Sequence, residues 1–120
     1  MSLTKLTAQI RAFNAERDWE QFHSPKNLAT ALMVEAGELA EIFQWMTQAQ
    51  SRQPDAALRQ RIGEEIGDVL IYLLNISDAL CIDPLAAAQA KLEGNRRRYP
   101  VALARGKADK YNQRGDGGSP

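Results

Sequence analysis

Apolar residues recur along this chain at spacings of three and four, the period of α-helices that bury one face. Leu3, Leu6, Ile10 and Phe13 mark a first helix, capped by Ser2 or Thr4 and running to about Asp18. Trp19 to His23 reads as a connector. Ser24-Pro25 sets a capping hydroxyl before a proline at the first helical position, so a second helix starts there and continues to about Thr47. Gln48 to Pro54 is polar and irregular, and is predicted as a loop. Pro54-Asp55 opens a third helix carrying Leu58, Ile62, Ile66, Val69, Leu73, Ile76 and Leu80. Asp83-Pro84 repeats the start signal, and the fourth helix runs until Tyr99-Pro100 stops it. The prediction is an all-α four-helix bundle over residues 1–100. Residues 101–120 follow as an irregular basic arm, ending in a flexible glycine-rich tail over 114–120.

Two acids interrupt the apolar stripes. Leu28, Leu32, Leu39, Ile42 and Met46 share one face of the second helix, and Glu35 takes a slot among them. Ile62, Val69, Tyr72 and Ile76 share a face of the third, and Glu65 takes the matching slot. Glu38 and Asp68 lie one turn further on, so the quartets Glu35-Ala36-Gly37-Glu38 and Glu65-Ile66-Gly67-Asp68 stand with 26 residues between them. Helices that bury these stripes against each other bring four carboxylates together. Such a cluster repels itself unless some members protonate or a cation is present. With oxygen donors and no cysteine or histidine group, the cation is a hard one: Mg²⁺, Mn²⁺ or Ca²⁺. Mg²⁺ commonly binds one or two carboxylates together with substrate phosphates, which points to a polyphosphate substrate. Gly37 and Gly67 precede the last acid of each quartet and suggest close packing against their backbones.

Composition narrows the function classes. A formal net charge of zero supplies no bulk field toward nucleic-acid polymers or acidic membranes. Charge is uneven, however: nine acids against three arginines from Glu35 to Asp83, then eight basic residues against two acids from Lys91 to Arg114. Cys81 is the single cysteine, which rules out an intrachain disulfide or a zinc knuckle and leaves it as an expected small core residue. The first residues lack the apolar run of a signal peptide, and the longest apolar run, Val69 to Leu74, is too short for a membrane span. A reducing cytoplasm is the expected location.

Further side chains could serve a ligand. Trp19 and Trp45 could each stack on a base, though a core or interface anchor is the more frequent role of a lone tryptophan. His23 neighbours the second helix start and could cap it or contact phosphate. Tyr72 and Asn75 continue the Asp68 face, as pocket wall or as core. Lys91, Asn95 and Arg98 share a face of the fourth helix, suited to phosphate or to solvent.

The acid quartets, with Glu16-Arg17-Asp18-Trp19-Glu20-Gln21-Phe22-His23, Gly37-Glu38-Leu39-Ala40-Glu41-Ile42-Phe43-Gln44-Trp45, Asp68-Val69-Leu70-Ile71-Tyr72-Leu73 and Asn95-Arg96-Arg97-Arg98-Tyr99-Pro100, resemble the MazG-like nucleoside triphosphate pyrophosphohydrolases. These belong to the all-α NTP pyrophosphatase superfamily, and the chain is most similar to its dCTP pyrophosphatase branch. The resemblance spans roughly residues 6–111. It implies hydrolysis of dCTP or a modified dCTP to the monophosphate and pyrophosphate. It also implies Mg²⁺, or Mn²⁺, on Glu35, Glu38, Glu65 and Asp68; from the chemistry of hydrolysis, one of these carboxylates, with Glu38 the candidate, orients the attacking water or takes its proton. Trp19 and Trp45 are implied around the base, Tyr72 and His23 beside the nucleotide, and Lys91 and Asn95 on the phosphate side. A homodimer or homotetramer completing sites between subunits is implied as well. Ile10 stands where animal dCTP pyrophosphatases carry a histidine. A non-enzymatic helical module whose buried acids pair with arginines is the alternative. A carboxylate di-iron site is disfavoured, because Glu20 and His23 form the single Glu-x-x-His pair.

Overall fold

A computed structural model describes residues 1–108 of the chain, so the tail expected over 114–120 lies outside the described residues. Six α-helices are present among them and no strand: α1 (Leu3–Glu16), α2 (Pro25–Phe43), α3 (Gln48–Ser51), α4 (Ala56–Ala79), α5 (Pro84–Arg98) and α6 (Val101–Ala104). The four long helices are those that the periodicity predicts. The chain divides into two compact units, the first ending at Ile82 with α1 to α4, the second beginning at Asp83 with α5 and α6.

Helix starts follow the capping chemistry of the sequence. The Ser2 and Ser24 hydroxyls accept from the backbone N–H of Lys5 at 3.1 Å and of Asn27 at 3.2 Å. The Asp55 carboxylate accepts from Leu58 N–H at 2.8 Å, and Asp83 accepts from the N–H groups of Leu85 and Ala86. Prolines at the first turn of α2 and α5 cost no hydrogen bond there.

The ends and connectors depart from expectation. Helix α1 stops at Glu16 rather than Asp18, because Asp18 is left-handed with φ 55°. Trp19 N–H then bonds Asn14 C=O at 3.0 Å and Asp18 N–H bonds Ala15 C=O at 3.1 Å, a Schellman ending. Cys81 plays the same part after α4: its φ is 54°, and Ile82 N–H closes onto Ser77 C=O at 2.9 Å. Cys81 is therefore exposed in a turn and not part of the core, which corrects the reading from Leu80-Cys81-Ile82. Helix α2 ends at Phe43, four residues before Thr47. Thr47 instead caps α3 in the segment expected to be a loop. Its hydroxyl accepts from Gln50 N–H and the Gln50 side-chain oxygen accepts from Thr47 N–H, a capping box that Thr-x-x-Gln encodes.

Within the first unit α2 packs chiefly on α4, and α1 packs on α4 as well. Leu28 of α2 and Leu74 of α4 are 1% exposed, and Ile10 joins them in the core. The stripe residues Leu32, Leu39, Ile42, Ile62, Val69 and Ile76 are all half-buried, so the predicted faces do turn inward. Two side-chain bonds fasten α1 to α4. Arg11 grips Asp78 with two bonds, of 3.0 and 2.6 Å, and Asn14 Nδ2 donates to Asn75 Oδ1 at 2.8 Å. Advancing three residues on α1 retreats three on α4, so the two helices are antiparallel. A Cβ added at Gly37 or Gly67 would meet nothing within 4 Å, so the close packing expected at those glycines does not occur among the described residues.

Since Leu28 and Leu74 carry so much of a small core, Leu28→Ala or Leu74→Ala should each lower the unfolding free energy by about 2–5 kcal/mol, read by chemical denaturation at fixed protein concentration.

Candidate active site

The packing of α2 on α4 forces the two intruding glutamates toward each other. One carboxylate oxygen from each of Glu35, Glu38 and Glu65 lies within 4.8 Å of the other two. Oxygens that ligate one hard cation, each ~2.0–2.6 Å from it, span such distances. Glu35 and Glu65 are half-buried and Glu38 is exposed. The Oε2 atoms of Glu35 and Glu65 are both buried with no hydrogen-bond partner, a costly state for a carboxylate. Asp68 stands outside this trio, exposed on α4, yet close enough for its charge to act on Glu35 and Glu65.

Electrostatics follow from that placement. Burial first, then the closeness of Glu38 and the charges of Asp68 and Glu65, push the Glu35 carboxyl above the usual range. Burial again leads for Glu65, followed by the charges of Glu38 and Asp68, while Arg61 pulls weakly the other way. Glu38 places a carboxylate oxygen within 4.8 Å of one from each of Glu35 and Glu65. None of the ion pairs seen among the described residues, Arg11–Asp78, Arg17–Glu16 and Arg96–Glu93, involves the four acids. Among the described residues no arginine pairs with Glu35 or Glu65, and the buried Oε2 of each lacks a hydrogen-bond partner. Those orphaned oxygens, in an all-oxygen donor set, fit a divalent cation.

Beside the acids a cavity of about 410 Å³ opens between α1, the Trp19–His23 connector and α4. Ile10, Phe13, Trp19 and Tyr72 supply apolar wall. His23, Asp68, Asn14 and Asn75 supply polar groups, so Asp68 belongs to both the cavity and the acid neighbourhood. The Schellman ending of α1 is what brings Trp19 back onto Phe13, edge to face, with ring centroids 5.5 Å apart. Arg17 lies 3.7 Å over the opposite partner's ring, that of Phe13, and braces the pair. A second, polar cavity of about 380 Å³ is lined by Glu38, Glu41, Ile42, Arg61 and Glu65.

The site residues read from the sequence are thus brought together in part. Glu35, Glu38 and Glu65 converge; Asp68, Tyr72, His23 and Trp19 line the adjoining cavity. Trp45 follows α2 and is 89% exposed, away from these cavities. Lys91 and Asn95 stand one turn apart on α5, in the second unit. Asn14 and Arg61 were not singled out by sequence. The signal for Asn14 was available: like Glu35, it is a polar residue on an inward apolar stripe, one turn after Ile10. Arg61 is an exposed helix arginine like many others, and it gave no such signal.

An all-α chain with carboxylates converging from two packed helices beside a nucleotide-sized cavity defines a class. Its family follows from comparison with known proteins. A model of the MazG-like family matches residues 30–113, and the chain belongs to that family. It is 50% identical over 103 residues to dCTP pyrophosphatase 1 of Rattus norvegicus, a match covering 82% of this chain and 59% of the relative. Against dCTP pyrophosphatase 1 of Homo sapiens the identity is 48% over 103 residues, covering 84% of this chain and 61% of the relative. The chain therefore spans about three fifths of the length of these curated relatives. The crystal structure of a pyrophosphatase from Archaeoglobus fulgidus is similar with a TM-score of 0.71 and 40% identity, covering 81% of this chain and 91% of that one.

Raised carboxyl pKa values have a definite sign. Glu35 and Glu65 hold protons more tightly folded than unfolded, so without metal the folded state is favoured at low pH. That stability is lost as pH rises from the ordinary value of 4.5 through their raised values. Asp78, lowered by the Arg11 hydrogen bonds and charge, acts oppositely: it contributes stability above its ordinary 3.8, lost as pH falls below that. The metal-free protein should therefore show a melting temperature that declines as pH rises above the ordinary carboxylate value of 4.5. Glu35→Gln and Glu65→Gln should each flatten the decline and match or exceed the parent at neutral pH. A large drop in their metal-free melting temperature would show that the carboxylates are paired structurally.

Proposed function

We propose that this chain is a Mg²⁺-dependent nucleoside triphosphate pyrophosphohydrolase that converts dCTP, or a dCTP modified on its base, to the monophosphate and pyrophosphate. The observation that carries this reading is the convergence of Glu35, Glu38 and Glu65, with two orphaned buried oxygens, beside the cavity of about 410 Å³. The names of the relatives, dCTP pyrophosphatase 1 and a pyrophosphatase, support the substrate and reaction.

Glu35, Glu38 and Glu65 would hold Mg²⁺ or Mn²⁺, with Asp68 at the cavity side of the group. A divalent cation there supplies neutralisation of phosphate charge and makes water more acidic. The remaining work falls to the chain. Trp19 and Tyr72 take the base against the apolar wall, and His23 lies beside the nucleotide. Glu38, the exposed acid of the trio, orients the attacking water and accepts its proton. Water adds at phosphorus as the bridging P–O bond between the α and β phosphates breaks, and pyrophosphate leaves. Arg61, which shares a cavity with Glu38 and Glu65, adds positive charge on that flank.

Assembly is part of this reading. Met33 and Val34 on α2, Ile66 and Leu73 on α4, and Leu80 just past its end, are exposed to 41–66% in the single chain. Gly37 and Gly67 lie open beside them, and Trp45 is almost wholly bare. Burying these surfaces in a homodimer or homotetramer would stabilise the small core and bring Trp45 to a neighbouring site.

With Mg²⁺ and dCTP, phosphorus NMR should show deoxycytidine monophosphate and pyrophosphate in equal amounts. Glu35→Gln and Glu65→Gln should each cut the rate by at least about a hundredfold. Release of orthophosphate, or full activity in both variants, would defeat the proposal. Light scattering at micromolar concentration should return two or four times the 13.3 kDa chain mass; a monomer alone would remove the assembly from it.

A further inference from the structure

Only two polar side chains among the described residues are buried, Asn14 and Ser77. Ser77 is accounted for locally, since its hydroxyl donates to Leu73 C=O one turn back at 2.8 Å. Asn14 is different. It is 7% exposed, sits on the inward stripe of α1, and spends one amide hydrogen on Asn75 Oδ1 across the interface. As a fastening this bond is redundant with the two-pronged Arg11–Asp78 pair one turn away, and an apolar pair of similar size would hold α1 to α4 at least as well.

What the pair leaves unused is more informative. A primary amide carries two donor hydrogens and an acceptor oxygen, so one mutual bond leaves the Asn75 Nδ2 donors and the Asn14 Oδ1 acceptor available. Neither atom is among the buried polar atoms lacking a partner, so each keeps access to open space. Both residues line the cavity of about 410 Å³ that Trp19 and Tyr72 also wall, and both also line a smaller one of about 270 Å³ with Arg11, Glu20 and His23. With Asn14 as the donor of the mutual bond, the pair offers a donor from Asn75 and an acceptor from Asn14.

We infer that Asn14 and Asn75 form a fixed amide pair that reads the hydrogen-bonding edge of the nucleobase and selects amino-bearing over keto bases. The inference rests on the nucleotide reading above and deepens it. Asn75 contacts the base; Asn14 positions Asn75 and adds the neighbouring acceptor. A donor beside an acceptor complements an unprotonated ring nitrogen beside an exocyclic amino group, the edge of cytosine. Uracil presents the reverse, a ring N–H beside a carbonyl oxygen. The two bases have nearly the same size and stack alike on Trp19, so the edge alone can tell them apart. A site built to satisfy one pattern leaves its own buried polar groups unpaired against the other. Ring substitution at carbon 5 does not touch this edge, so 5-methyl-dCTP should be accepted.

Asn75→Asp tests this with little threat to folding, because it retains an oxygen to accept from Asn14 and replaces the spare donor by an acceptor. Asn14→Leu is the second variant; it removes the restraint while Arg11–Asp78 still joins the helices. For each, kcat and KM are measured separately with dCTP and dUTP, together with the melting temperature. The parent should favour dCTP over dUTP in kcat/KM, and Asn75→Asp should shrink that ratio by at least about tenfold, mainly through KM for dCTP. Asn14→Leu should bring the ratio toward one. Equal losses on both nucleotides, or a parent indifferent between them, would overturn the inference and leave the pyrophosphohydrolase reading standing. A parent that hydrolyses no triphosphate would overturn that reading itself.

Discussion

The structure turns on a repulsion that the protein alone does not relieve. Glu35 and Glu65 occupy slots that helical period assigns to apolar residues, and α2 cannot dock on α4 without bringing them inward. The same packing that buries Leu28 and Leu74 takes one oxygen of each glutamate out of water and gives it no partner. Glu38 adds a third negative group and Asp68 a fourth nearby charge. Without a cation the chain answers by holding protons, which is why both half-buried carboxyls sit above their usual range. Stability and affinity for the proposed cation are therefore opposed at this point of the fold.

Around that strained pair, α1 performs the shaping. It is tied antiparallel to α4 by Arg11–Asp78 and Asn14–Asn75, and its left-handed end at Asp18 throws the chain back over its own last turn. Trp19 is thereby held against Phe13 at the cavity wall instead of trailing into solvent. Asp68 and Tyr72 are one turn apart on α4, so a single helix face passes from the acids to the aromatic cavity. A ligand with a flat base and a charged tail matches the sequence of surfaces along that face.

The first unit also carries more apolar surface than it can bury. Ile66 and Leu73 on α4 and Leu80 just past its end recur every seven residues and form an exposed ridge of their own, distinct from the stripe that packs on α2. Such a ridge is ordinary in a chain whose core is finished by association, and it fits the proposed assembly. The glycines of the two quartets belong to the same account: their open faces have no use within the chain.

Much of this was legible in the order of residues. Ser24-Pro25, Asp55 and Asp83-Pro84 located the long helices because capping is local chemistry. Glu35 and Glu65 announced the site because a charge on an apolar stripe is visible without coordinates. The motifs shared with MazG-like proteins pointed to the family that comparison confirmed. Other features depended on contacts between distant positions. Asp18 and Cys81 end their helices left-handed without the glycine that normally marks such a turn, so α1 read too long and Cys81 read as core. Thr47 and Gln50 carried a capping signal, yet a four-residue helix is too short to show a period. Asn14 became meaningful only when Asn75, 61 positions later, was found 2.8 Å away. Periodicity tells which face of a helix turns inward; it does not tell which residue of another helix it will meet there. That was decided by how α1, α2 and α4 pack, because only packing sets the distance, burial and partner on which a carboxylate's charge or an amide's orientation depends.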